Sequence, residues 1–67
     1  MKTTFNQSEH RLDITNCEFE NVEIYFNGQS VADIPLTDGN GFVTNIEILN
    51  EGDVIEVYPY NRVEVQL

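Results

Sequence analysis

A chain of 67 residues with 12 acidic and 3 basic side chains carries a formal charge of −9, which repels nucleic acid and anionic membranes at long range and argues against direct binding to either. One domain fits this length, burying only about 60% of the surface of its unfolded chain, so the core is thin and a partner or a second copy is expected to add stability. A single cysteine, Cys17, and a single histidine, His10, exclude an internal disulfide and fall short of the ligands of a structural zinc site.

No segment keeps a helical period over three turns, whereas alternation with period two recurs along the chain. The expected fold is all-β: a single domain, 1–67, built as a small antiparallel β-sandwich or partly open barrel of about six short strands. The first ten residues, "MKTTFNQSEH", are polar and lack the apolar segment of a signal peptide, so 1–10 reads as an N-terminal arm. No apolar run approaches the roughly 18 residues of a membrane span, and a soluble protein is expected.

In "RLDIT", Leu12 and Ile14 share a face opposite Asp13, and in "CEFE" Cys17 and Phe19 point inward while Glu18 and Glu20 point outward. "VEIYF" then puts Val22, Ile24 and Phe26 inward. The inward phase has switched from odd to even, which requires a bulge or tight turn near Glu20-Asn21, because a slip of one residue reverses the buried face. Asn27-Gly28 follows, and Asn-Gly suits the positive φ values of a type I′ hairpin turn, so 22–26 should pair antiparallel with a strand beginning near Gln29. In that strand, 30–37, Ala32, Ile34 and Leu36 share a face, while Pro35 has no amide to donate and argues for an edge.

The stretch "LTDGNGFVTNIE", 36–47, almost spells a calcium loop, with Asp38, Asn40, Gly41, Thr44 and Glu47 where an EF-hand places ligands and its glycine. The reading fails because Leu36 holds the place of the first Asp ligand, and because Pro35 before it and the β-branched residues after it oppose flanking helices. Turn chemistry explains the stretch better: Gly39 and Gly41 accept positive φ, and Asp38 and Asn40 bond to nearby backbone. A strand at 42–49 with Ile46 and Ile48 inward follows, then a turn at "NEGD", then "VIEVY" with Ile55 and Val57 inward. "PYNR" reads as a turn and "VEVQL" as the last strand, with Val63, Val65 and Leu67 inward.

From Val22 to Tyr58, the order strand, "FNG", "QSVADIPLTDGNG", strand, "LNEGDVIEV" resembles the small immunoglobulin-like and prealbumin-like β-sandwich modules of carboxypeptidase-regulatory and bacterial surface domains. In those families a "TD-x-x-G" turn precedes one strand and a "GD" turn leads into another. The resemblance implies a spacer, decoration or adhesive unit, as on phage particles, with no catalytic residues. "LNEGDVIEVYPYNRVEVQL" is also similar to the C-terminal half of swapped-hairpin antitoxins and transition-state regulators, which bind DNA through basic residues that are missing here. That likeness implies at most the hairpin and dimerisation.

Catalysis finds little footing. His10 lies in the polar N-terminal segment, Cys17 alternates with acids as a small core residue would, and a reactive thiolate wants electropositive neighbours. Paired carboxylates acting on glycosides need a pocket deeper than a sheet of this size offers. The informative repeat is "EIY" and "EVY": with Ile24 and Val57 facing the core, Glu23 and Tyr25 on one strand and Glu56 and Tyr58 on another must face out, joined by Tyr60. Outward tyrosines are common strand formers. They are also efficient contact residues, and flanking acids would select a partner with a basic or mixed face.

The expected function is a non-enzymatic structural or protein-interaction module, such as a minor or decoration protein of a phage particle or other large assembly. Its partner would be another protein or a second copy of the chain, with no cofactor and no metal. A phage-encoded chain of this kind would sit in the virion or the host cytoplasm. Two alternatives stand beside this: a small acidic inhibitor that mimics nucleic acid on a basic host protein, and a swapped-hairpin antitoxin-like dimer.

Overall fold

The computed structural model describes residues 1–47 and 50–62. Six strands are formed among them: β1 (Lys2–Asn6), β2 (Arg11–Thr15), β3 (Asn21–Phe26), β4 (Gln29–Pro35), β5 (Gly41–Val43) and β6 (Ile55–Tyr60). They make two three-stranded antiparallel sheets, ordered β1-β2-β5 and β4-β3-β6.

The centre of each sheet is taken by the strand with the cleanest alternation. Leu12 and Ile14 on β2 and Val22 and Ile24 on β3 are buried, and Cys17 and Ile46 complete the core between the sheets. Burying each such aliphatic side chain contributes about 1.5–3 kcal/mol. Phe5, Ala32, Ile34, Leu36, Val43, Ile55 and Val57 form its half-buried rim. Pro35 and Pro59 both lie in the outer strands β4 and β6, where a missing amide costs no bond within the sheet.

Two tight turns of the same kind shape the fold. Asn27 (φ 50) and Gly28 (φ 83) link β3 to β4, with Phe26 opposite Gln29. Asp38 (φ 52) and Gly39 (φ 81) repeat this geometry, with Thr37 and Asn40 exchanging backbone hydrogen bonds of 2.9 Å each way. The stretch "LTDGNGFVTNIE" is therefore a second tight turn leading into β5. Gly39 supplies the positive φ expected there, and Gly41 does not. Gly41 is small for another reason: a Cβ on it would lie 2.7 Å from Leu36 Cδ2 and 3.3 Å from Ile34 Cδ1.

Several expectations need correction. Lys2–Asn6 is not a free arm but β1, paired with β2 from Lys2↔Thr15 to Asn6↔Arg11. "CEFE" forms no strand: Asn16 (φ 55) turns the chain after β2, Cys17 is buried, and Phe19 is 42% exposed instead of inward. This segment crosses from one sheet to the other, so its backbone bonds go to loops: Cys17 N donates to Gly39 O (3.1 Å) and Leu36 N to Glu20 O (2.8 Å). The strand expected at 42–49 shortens to β5, and Ile46 reaches the core from irregular chain held by its N–H bond to His10 O (3.0 Å). Pro59 and Tyr60 continue β6 instead of turning. The change of inward phase expected near Glu20-Asn21 is taken up by bends of the chain at 18–20 and not by a bulge; a bulge lies instead in β4, where Ile24 faces Ala32 while Tyr25 faces Ser30, leaving Val31 as the extra residue. Ile48 and the strand expected at "VEVQL", with Val63, Val65 and Leu67, lie outside the described residues.

Candidate interaction surface

Because Val22 and Ile24 point into the core, Asn21, Glu23 and Tyr25 emerge on the outer face of the β4-β3-β6 sheet. Pairing with β6 places Tyr58 opposite Glu23, Glu56 opposite Tyr25, and Tyr60 opposite Asn21. On the other side of β3, Asp33 lies opposite Glu23 and Ser30 opposite Tyr25. Acids and tyrosines thus share one face across three strands, with the carboxylates of Asp33 and Glu23 on neighbouring strands.

Each phenol is anchored to a carboxylate. Tyr25 Oη donates to Glu23 Oε1 (2.8 Å), and Ser30 Oγ donates to Glu23 Oε2 (3.0 Å), so both oxygens of Glu23 are engaged. Tyr58 Oη donates to Glu56 Oε2. Tyr60 reaches across the central strand to Asp33, its hydroxyl 2.6 and 2.7 Å from the two carboxylate oxygens. The Tyr25 and Tyr58 rings meet edge to face, centroids 5.2 Å apart at 90°. Such a contact adds about 0.5–1.5 kcal/mol beyond buried area.

These bonds hold all three phenols in the neutral form, because the hydroxyl proton is what the carboxylate binds. Tyr25 is raised above the ordinary 10.0 chiefly by its hydrogen bond to Glu23, then by desolvation and by the charges of Glu23 and Asp33. Tyr58 is raised chiefly by its bond to Glu56, then by that residue's charge. Tyr60 is raised chiefly by its bond to Asp33, with Arg62 opposing weakly.

The five residues singled out by alternation, Glu23, Tyr25, Glu56, Tyr58 and Tyr60, therefore share one face. Tyr58 is 49% exposed, whereas Tyr25 and Tyr60 are half-buried. Asp33 and Ser30 belong to the same array but were not singled out. Ala32 and Ile34 inward already imply Asp33 outward; placing it beside Glu23 requires the bulge at Val31.

The opposite sheet presents a different surface. Arg11 Nε bonds Asp13 Oδ1 at 2.9 Å, and its guanidinium carbon lies 4.1 Å from the centroid of the exposed Phe42 ring. His10 is exposed in the β1–β2 turn. Cys17 is buried, its Sγ accepting the Phe19 N–H at 3.4 Å. Among the described residues no three His, Cys, Asp or Glu side chains converge as a metal-binding group, and no helix is long and apolar enough to cross a membrane. Comparison with protein-family models, with curated proteins and with solved structures gives no match.

Proposed function

We propose that the chain is a non-enzymatic protein-interaction module that docks a partner with a basic face onto the outer surface of the β4-β3-β6 sheet, serving as a structural or decorating subunit of a larger assembly such as a phage particle. One observation carries this reading: three tyrosines on a single face are each held by a carboxylate. Held rings lose less side-chain entropy on binding, and tyrosine is a frequent hot-spot residue. The carboxylates keep acceptor capacity for an incoming Lys or Arg.

The test is binding to whatever protein co-purifies at low salt, once that protein is identified. Tyr58→Ala is expected to weaken the complex by about 2 kcal/mol or more, the threshold of a hot spot. Equal affinity for wild type and Tyr58→Ala would sink the proposal. A second reading, an acidic inhibitor that occupies a nucleic-acid-binding surface, is favoured by Glu23, Asp33 and Glu56 on one face. It predicts binding that competes with DNA and weakens steeply with salt, whereas docking on an assembly requires no such competition.

A further inference from the structure

Four strand edges border the two sheets among the described residues, and they are not equally protected. β4 carries Pro35 and the bulge at Val31, β6 carries Pro59, and β5 is three residues long. Prolines, bulges, shortness and charged side chains, lysine above all, are the usual devices that stop a sheet edge from recruiting another strand. β1 has no proline and no bulge, and its one charge, Lys2, stands at its first position. It is five residues of "KTTFN", and among the described residues it pairs with β2 alone.

Charge points the same way. β2, β3, β4 and β6 each carry an acid, whereas β1 carries none and bears Lys2. In a chain of net charge −9, this is the long edge at which two copies approach with least repulsion.

We infer that β1 pairs antiparallel with β1 of a second copy about a two-fold axis at Thr4, joining the two β1-β2-β5 sheets into one continuous sheet. The pattern of β1 is self-complementary in that register. Thr4 meets Thr4 of the second copy, Thr3 meets Phe5, and Lys2 meets Asn6, so no like charges stand opposite each other. A two-fold axis normal to the sheet keeps both core faces on the same side. The half-buried Phe5 of each copy then lies diagonal to the other, within reach of an aromatic ring, and gains cover that one copy does not provide. This pairing uses neither the tyrosines nor their carboxylates, so it stands or falls independently of the surface proposed above.

Two measurements test it. Sedimentation equilibrium of the wild-type chain is expected to give twice the monomer mass with a reversible concentration dependence. A monomer at the highest soluble concentration overturns the proposal. The register is tested with single cysteines and oxidised glutathione as oxidant, each variant first checked for a wild-type circular dichroism spectrum. At the two-fold axis the Cα atoms of residue 4 would lie about 4.5–5.5 Å apart, within the range a disulfide bridges. Thr4→Cys is therefore expected to form a covalent dimer rapidly. The two Cα atoms of residue 3 would lie about 8 Å apart, too far for a bridge, so Thr3→Cys is expected to cross-link at least about tenfold more slowly. The wild-type chain, whose Cys17 is buried, supplies the background. Cross-linking of Thr3→Cys as fast as Thr4→Cys, or none at Thr4→Cys, refutes this pairing even if a dimer is found.

Discussion

Gly39 and Gly52 separate two costs that are usually confounded. Both have positive φ, +81 and +96, yet a Cβ at Gly39 would lie 2.7 Å from Cys17 O and 3.1 Å from Cys17 N, whereas one at Gly52 would meet nothing within 4 Å. Gly52→Ala is expected to cost only the left-handed backbone, about 1 kcal/mol. Gly39→Ala adds a backbone clash at the point where the sheet-crossing segment bonds Gly39 O, and should cost at least about twice as much by urea unfolding. Equal losses would mean that the two loops are not in contact. Tyr58 and Ile24 make a second contrast. Tyr58→Ala removes a half-exposed ring that packs edge to face with Tyr25 and bonds Glu56 through its hydroxyl, so about 1 kcal/mol of stability is expected to be lost. Ile24→Ala opens a cavity at a fully buried site and should cost about 2–5 kcal/mol.

At the scale of the element, the outer face of β4-β3-β6 predicts an alkaline signature. A phenol whose folded pKa is raised contributes stability that is whole below the unfolded value of 10.0 and is lost as pH climbs through the folded value. Phenolate absorbance should therefore develop above pH 10, with loss of structure following at still higher pH. Glu23→Gln removes the charge and the strong acceptor beside Tyr25, and is expected to bring the Tyr25 titration back toward 10 and to lower that of Tyr60, which the Glu23 charge also raises, to a smaller extent. Three phenols titrating at the ordinary value would show that the carboxylate bonds do not persist in solution.

The strand β6 is held at both ends by side-chain amides. Asn27 receives the Val54 N–H at Oδ1 (2.8 Å), donates from Nδ2 to Asp53 Oδ1 (3.0 Å), and gives its own N–H to Val54 O (2.8 Å). At the far end Asn61 Oδ1 accepts the Glu20 N–H (3.0 Å). Asn27→Ala loses the two side-chain bonds and leaves alanine at φ 50, so a cost of about 2–3 kcal/mol is expected. Hydrogen exchange should then accelerate in β6 more than in β2. Uniform acceleration would mean that Asn27 stabilises the whole molecule and does not pin β6.

Over the whole molecule, a chain of 67 residues has a total stability of about 3–10 kcal/mol at the usual value per residue. The cost of Ile24→Ala is then a large share of it, and long-range charge is a comparable lever. A net charge of −9 opposes compaction, and salt screens that repulsion. The melting temperature is expected to rise between low salt and about 0.5 M sodium chloride, where the Debye length falls below 5 Å. A fall would show that the acid–tyrosine bonds and the Arg11–Asp13 pair outweigh the net repulsion.

Strand class, both tight turns and the central core residues were legible in the sequence because each rests on neighbours along the chain: alternation at Leu12, Ile14, Val22 and Ile24, and Asn27-Gly28 at the first hairpin. The bulge was also within reach. A two-residue turn at Asn27-Gly28 sets Ala32 opposite Glu23 and therefore outward, whereas alternation along β4 sets Ala32 inward. Those two local signals disagree by one residue, and an extra residue at Val31 reconciles them. The outward phase of Glu23, Tyr25, Glu56 and Tyr58 follows from the same alternation. Their union on one face does not, because it depends on β6 pairing with β3 across a separation that no local pattern encodes. Only tertiary structure decided that β1 is a strand, since its polar residues gain order from β2 beside them and not from their own alternation. It also decided that "CEFE" is a crossing between sheets, because Cys17 is buried between two layers whose spacing is a property of the packed whole.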